Sequence, residues 1–146
     1  MPEKRFRVFA TCHIGEAVEN LLREKGHDLE IYPGPEAPPR KLIIERVRSG
    51  IDGLITTLRD KIDAEVFEAG NGSLKVVSQI AVGFDNTNRE DANRFKVPFT
   101  NTPDILKDAT AEFIFFMMGA WRGGCGVPRN WFESRSGARG ILTFRL

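Results

Sequence analysis

Residues 51–80 read IDGLITTLRDKIDAEVFEAGNGSLKVVSQI, and the order of patterns inside this stretch decides the fold. Residues 51–56 form a short apolar run of strand character. Residues 63–69 (DAEVFEA) have helical spacing, with Asp63 placed to cap the helix and Glu65 in its first turn. Asn71-Gly72-Ser73 is a turn, and residues 74–80 (LKVVSQI) are a second strand rich in β-branched residues.

The same alternation continues in both directions. Upstream, residues 6–10 (FRVFA) predict a strand. Residues 15–25 predict a helix in which Val18, Leu21 and Leu22 share a face, with Gly26 as its stop. Residues 28–32 (DLEIY) alternate as a strand. A turn-rich PGPEAPP loop (33–39) leads to a helix from about Arg40, with Leu42, Ile43, Ile44 and Val47 on its apolar side. Downstream, residues 88–95 predict a short polar helix and residues 97–100 a fifth strand. Alternating strands and helices predict an α/β fold: an open, parallel, five-stranded sheet with helices on both faces. Residues 109–121 (ATAEFIFFMMGAW) are a helix so apolar that it calls for a second domain or subunit.

Composition removes several function classes. The chain has 146 residues, 21 Lys+Arg against 20 Asp+Glu and a net charge of +1. Such a balance gives no reason to expect nucleic acid or a membrane surface as partner. No apolar run approaches the ~20 residues of a membrane span, and the N-terminus lacks the apolar core of a signal peptide. Two cysteines, Cys12 and Cys125, make no disulfide framework, and no Cys/His spacing suggests a metal. A cytoplasmic location is the expectation. The balance conceals a seam, however. Residues 121–146 hold five Arg and only Glu133 as acid, leaving 16 of the 21 basic and 19 of the 20 acidic groups upstream.

In open α/β sheets ligands sit beyond the carboxyl ends of the strands. That rule directs attention to residues 10–13, 56–59, 80–86 and 100–104. Ala81-Val82-Gly83-Phe84-Asp85-Asn86 follows a strand directly. Gly83 permits φ > 0 or close backbone approach, so a turn here can aim successive N–H groups outward as an anion nest. The other reading is an ordinary strand–helix turn closed by Asp85 or Asn86. Thr100–Asp104 is read as a strand-to-helix connection built from turn formers. His13 and His27 are read as turn histidines, since no acid or nucleophile pairs with His13 by spacing. Neither a G-x-G-x-x-G after a strand nor a G-x-x-x-x-G-K-[ST] occurs.

VFAT (8–11), YPGPEAPPR (32–40), GLITTLRDKIDAEVFEA (53–69), LKVVSQIAVGFDN (74–86) and VPFTNTPDILKDATAEFIFFMMGA (97–120) together resemble the D-isomer-specific 2-hydroxyacid dehydrogenases, in particular their glyoxylate/hydroxypyruvate reductase branch. The resemblance implies a flavodoxin-like substrate-binding domain over residues 1–108, the N-terminal half of a discontinuous catalytic domain. It implies that residues 109–121 form an interdomain and dimerisation helix. It implies that the backbone N–H groups of Val82 and Gly83 hold a substrate carboxylate, that Leu58 lines the pocket, and that Thr110 lies beside the nicotinamide of NAD or NADP. The implied reaction is hydride transfer to a small 2-oxo acid, giving a 2-hydroxy acid, in a homodimer. The family's catalytic Arg, Glu and His, and its G-x-G-x-x-G, match nothing in residues 1–146, so no catalytic residue is assigned. A chain of this content is expected to be inactive alone. A different expectation is a non-catalytic α/β module that binds a carboxylate or regulates by pairing with an intact homologue.

The resemblance stops at Ala120, where the charge seam also lies. Reading the codons of Asn130-Trp131-Phe132-Glu133 one base out of register forces Leu, then Val, then Arg if the frame stays open. These fit the family's continuation. Residues 122–146 are therefore expected to be an out-of-frame, irregular and disordered tail rather than a divergent C-terminus.

Overall fold

The computed structural model describes residues 4–70, 72–104 and 106–122. The expectations for residues 123–146 lie outside the described residues. The chain divides into two units, residues 1–105 and 106–146.

In the first unit the elements are β1 (Arg7–Ala10), α1 (Glu16–Glu24), β2 (Asp28–Ile31), α2 (Arg40–Arg48), β3 (Gly53–Thr56), α3 (Ala64–Ala69), β4 (Val76–Gln79), α4 (Arg89–Phe95) and β5 (Phe99–Thr100). Every pairing is parallel, and the strand order is β2-β1-β3-β4-β5. The path from β1 to β2 runs one way across the sheet, and the later crossovers run the other. Because parallel crossovers are right-handed, this reversal sends α1 to one face and α2, α3 and α4 to the opposite one. The expected five-stranded sheet with helices on both faces is what the chain forms.

Side-chain alternation sorts the two faces. Phe9, Leu54 and Val77 are aligned across β1, β3 and β4 and fully buried. They pack with Ile43 and Val47 of α2 and with Val66 and Phe67 of α3 in one cluster. Phe95 of α4 stacks on Phe67 with ring centroids 6.2 Å apart. Val8, Ile55 and Val76, on the other side of the same strands, are only half-buried. The α1 side is thinner than its spacing predicts: Val18 and Leu21 are exposed, and Glu19 is the buried residue of that helix.

Two helix ends show how local chemistry is spent. Gly26, at φ 79°, ends α1 as expected: its N–H reaches the Arg23 carbonyl at 2.9 Å, and His27 N–H reaches Leu22 at 3.1 Å. This pair of bonds satisfies carbonyls the helix would leave open. Asp63 does precede α3, but its side chain makes no capping bond. Arg40 takes it instead, with Nη2 2.6 Å from Asp63 Oδ1 and 2.8 Å from Glu65 Oε2. Burial alone raises the Asp63 pKa; the Arg40 bond and charge, with help from Lys61, outweigh it and hold the carboxyl below its usual range. A tie between α2 and α3 has displaced the local cap.

The α2–α3 packing also explains Gly70. A Cβ there would stand 2.7 Å from both Leu74 Cβ and Val47 Cγ1, closer than real contacts allow. Gly70→Ala should therefore destabilise the chain by about 1–3 kcal/mol, the cost of overpacking. Urea unfolding of the variant checks this; an unchanged midpoint would mean that α2 and the 70–74 turn yield freely.

The second unit contains α5 (Lys107–Arg122). Phe113, Ile114, Phe115, Phe116 and Met118 are all exposed on it, Phe115 to 74%. No helix among the described residues is long and apolar enough to cross a membrane.

Candidate functional site

The reversal of strand order places a crevice where β1 and β3 lie side by side, at their carboxyl ends. Thr11 and Cys12 leave β1 here, and residues 57–60 leave β3. Asp60 organises this corner. It is 2% exposed, and its Oδ2 accepts from Thr11 Oγ1 at 2.7 Å, Thr57 N–H at 2.7 Å and Thr57 Oγ1 at 3.0 Å. The carboxylate closes a tight turn whose outward residues are Leu58 and Arg59, both exposed. Burial, then the Asp60 charge, raises the Cys12 thiol, against the opposing charge of Arg59.

One strand further along, residues 80–87 leave β4. Ile80 N–H still bonds to Thr56 O at 2.9 Å, and the turn closes with Thr87 N–H on Phe84 O at 2.9 Å. Between them the carbonyls are engaged one after another. Ala81 O accepts Thr102 N–H at 3.0 Å, Val82 O accepts Asn101 Nδ2 at 2.8 Å, and Gly83 O accepts Gln79 Nε2 at 2.5 Å. The N–H groups of Val82, Gly83 and Phe84 have no hydrogen-bond partner among the described residues. All three residues are exposed. A run of unpaired, adjacent N–H groups in an exposed turn at the carboxyl end of a parallel sheet offers donors to an anion.

Leu58 stands beside this run: its Cδ2 lies 3.6 Å from where a Gly83 Cβ would be. Leu58 and Asn86 also share a depression of about 600 Å³ with Arg59, Lys61 and Asp85. Leu58, Val82 and Gly83, named separately from the sequence, are thus brought to one place. Thr110 lies in α5, its N–H on Leu106 O at 3.0 Å, within the second unit.

Two local readings are corrected and a third holds. Gly83 is not among the residues at positive φ. Its turn does not need a left-handed residue, and a Cβ there would meet only Leu58 Cδ2, at 3.6 Å. Asn86, one of the two residues expected to close the turn, does so: its Oδ1 accepts from Gln79 Nε2 at 2.9 Å across the base of the loop, and its Nδ2 reaches Asp60 O at 2.7 Å, joining this loop to the one after β3. His13 does meet an acid, Glu19, with Nδ1 to Oε1 at 3.3 Å. The same Glu19 oxygen accepts Ile14 N–H at 3.3 Å, so the contact shapes the β1–α1 turn. The His13 side chain is 71% exposed, as a turn histidine should be.

Neither Gln79 nor Asn101 is assigned a role from sequence, although Asn101 falls in the 100–104 segment to which the strand-end rule points. No local signal marks that role: Ser78 pairs with Thr100 across β4 and β5, and it is this register that sets the residues after one strand against those after the other. Polar amides there fall within reach of the intervening carbonyls.

Comparison with known proteins bears on the same segments. Residues 8–135 match the family model of the D-isomer specific 2-hydroxyacid dehydrogenase catalytic domain. The chain belongs to this family. It is 39% identical over 112 residues to the glyoxylate reductase of Thermococcus litoralis, covering 77% of this chain and 33% of that protein. With the glyoxylate reductase of Thermococcus kodakarensis it shares 40% identity over 114 residues, 78% of this chain and 33% of the relative. The chain therefore spans about a third of the length of these curated relatives. Among solved structures, the NAD+-bound 3-phosphoglycerate dehydrogenase of Entamoeba histolytica superposes with a TM-score of 0.65 at 26% identity, over 79% of this chain and 38% of that one. A glyoxylate reductase from Paecilomyes thermophila shares the fold, with a TM-score of 0.65 at 20% identity, over 97% of this chain and 45% of that one.

A nicotinamide cofactor is implied by the family. The described residues do not fit a whole dinucleotide. The loop after β1 runs Thr11-Cys12-His13-Ile14-Gly15, with one glycine where the pyrophosphate-binding turn of a dinucleotide site has three. No cluster of three or more metal-ligating side chains occurs among the described residues.

Proposed function

We propose that this chain supplies the substrate-carboxylate site of an NAD- or NADP-dependent reductase of small 2-oxo acids, of the glyoxylate or hydroxypyruvate type. The observation that carries the reading is the run of unpaired N–H groups at Val82 and Gly83. A carboxylate is flat and anionic and accepts from two adjacent donors at once, gaining the strength of charge-assisted hydrogen bonds. Leu58 supplies the apolar wall beside it, which suits the short carbon chain of such an acid. The 39–40% identity to archaeal glyoxylate reductases supports the substrate class.

In this reading residues 1–108 are the N-terminal part of the substrate-binding domain. Residues 109–121 are the interdomain and dimerisation helix, where the apolar side chains of α5 would be covered in a cytoplasmic homodimer. Thr110 reaches the nicotinamide, and the rest of the cofactor site and the catalytic Arg, Glu and His are supplied by protein outside residues 1–146. By itself the chain binds but does not reduce.

Two measurements on the 146-residue chain test this. Titration of ¹⁵N-labelled protein with glycolate should shift the Val82 and Gly83 amide resonances saturably, and neutral glycolamide should not. NADH or NADPH with glyoxylate should give no turnover. Turnover would overturn the division of labour, and unshifted amides would overturn the carboxylate reading.

A further inference from the structure

We propose that Asn101 and Gln79 are positioning residues that aim the amides of this site by holding the opposite ends of the same peptide groups. The inference rests on the carboxylate reading above. A trans peptide is planar, with its C=O and N–H pointing in opposite directions, and no cis bond occurs among the described residues. Fixing a carbonyl oxygen therefore fixes the direction of the N–H on the next residue. The Val82 carbonyl held by Asn101 at 2.8 Å belongs to the peptide that carries Gly83 N–H. The Gly83 carbonyl held by Gln79 at 2.5 Å belongs to the peptide that carries Phe84 N–H. The main chain does the same for Val82 N–H, through Thr102 on Ala81 O. Three consecutive peptides are tied on the carbonyl side, and their three N–H groups have no partner among the described residues.

The residue types fit the task. Only a donor can hold a carbonyl, which excludes Asp and Glu, and a neutral donor leaves the field at the site to the peptide dipoles. Gln79 is itself immobilised. It is 1% exposed, and its Nε2 also donates to Asn86 Oδ1 at 2.9 Å. Its Oε1 accepts from Asn86 Nδ2 at 2.9 Å and from Thr87 Oγ1 at 3.3 Å. Both amide protons of Gln79 are used, on Gly83 O and Asn86 Oδ1, which fixes the end of the amide that faces the loop. Asn101 is held through its strand, where Thr100 Oγ1 bonds Ser78 Oγ at 3.1 Å. An ionic ligand at Gly83 N–H polarises the peptide and strengthens the bond on its far side, so ligand and Asn101 are coupled through one peptide group.

The test uses the ¹⁵N-labelled 146-residue chain and glycolate. In the wild type, the Asn101 side-chain amide should shift along the same saturation curve as Gly83 N–H. In Asn101→Ala, glycolate affinity should fall about 10-fold, the scale of one hydrogen bond to a charged group, while the thermal midpoint moves little. Asn101→Asp, which has the same shape but no donor and adds a negative charge, should fall further. If the wild type binds glycolate and Asn101→Ala binds it equally, or the Asn101 amide does not follow the titration, positioning is overturned and the carboxylate reading stands. If wild-type Val82, Gly83 and Phe84 amides do not respond at all, both fall. The wild-type titration decides the matter even where a variant fails to fold.

Discussion

Gly83→Ala should abolish most carboxylate binding and leave the fold as stable as before or slightly more so. The two effects have opposite signs because they have separate causes. Gly83 lies outside the left-handed region, so an L side chain is compatible with its backbone. The added methyl would meet only Leu58 Cδ2, at 3.6 Å, an ordinary van der Waals contact. Nothing within the described protein demands a glycine here, in contrast to Gly70, where neighbouring side chains occupy the space. Alanine restricts the unfolded chain more than glycine does, which at a compatible position is worth about 0.4–1 kcal/mol of stability. A ligand oxygen that accepts from Gly83 N–H, however, must come within about 3 Å of that nitrogen. The methyl is bonded to the adjacent Cα and crowds that approach. Losing a hydrogen bond from that N–H to a charged ligand costs about 1.5–3 kcal/mol, a fall of roughly 10- to 150-fold in affinity. The glycolate titration and a thermal unfolding curve, run on the same sample, measure both. A loss of binding accompanied by an equal loss of stability would mean that Gly83 serves the fold rather than a ligand.

How far the sequence could be read depends on the range of the interaction concerned. The elements from β1 to α5 follow from periodicity and turn residues, which are local. The GLIT run and the VVSQ run became β3 and β4, with boundaries shifted by a few residues. The order β2-β1-β3-β4-β5 has no local signature, and it is the order that brings Thr11 beside Asp60. Leu58, Val82 and Gly83 were reached partly through the rule that sites lie beyond strand ends and partly through that resemblance. Gln79 and Asn101 escaped because their partners are main-chain carbonyls in another loop, and which carbonyl faces which amide depends on strand register. Asp63 shows the converse error. A cap signature was present, but Arg40, 23 residues away, offered that carboxylate a stronger bond.

The largest stability effect should come from Asp60, a buried carboxylate with no acid–base partner to its name in sequence. Asp60→Ala removes the common acceptor of Thr11 Oγ1, Thr57 N–H and Thr57 Oγ1. Each hydrogen bond to a charged group is worth about 1.5–3 kcal/mol, and a buried donor left unpaired adds its own desolvation cost. The bonds share one oxygen and are not additive, so the expected loss is about 3–5 kcal/mol. That is a large part of the roughly 5–15 kcal/mol that holds a domain together. Asp60→Asn separates acceptor from charge. Its amide oxygen can take the place of Oδ2 and keep all three donors. Its NH2 would fall where Oδ1 now lies, buried and without a partner among the described residues. The cost should then be about 1–2 kcal/mol, that of one unsatisfied buried donor. Urea unfolding of the two variants distinguishes the causes: equal, large losses would mean that the negative charge itself is what the turn requires. The consequence for the site is a matter of geometry. Asn86 grips the Asp60 and Thr57 carbonyls and, through Gln79, the Gly83 carbonyl. A turn loosened at Asp60 therefore releases the amide run one strand away. Asp60→Asn should retain glycolate binding within a few-fold. Asp60→Ala, studied below its lowered midpoint where it remains folded, should bind about 10-fold more weakly. Unchanged affinity in that folded variant would show that the two loops, though bonded, are energetically independent.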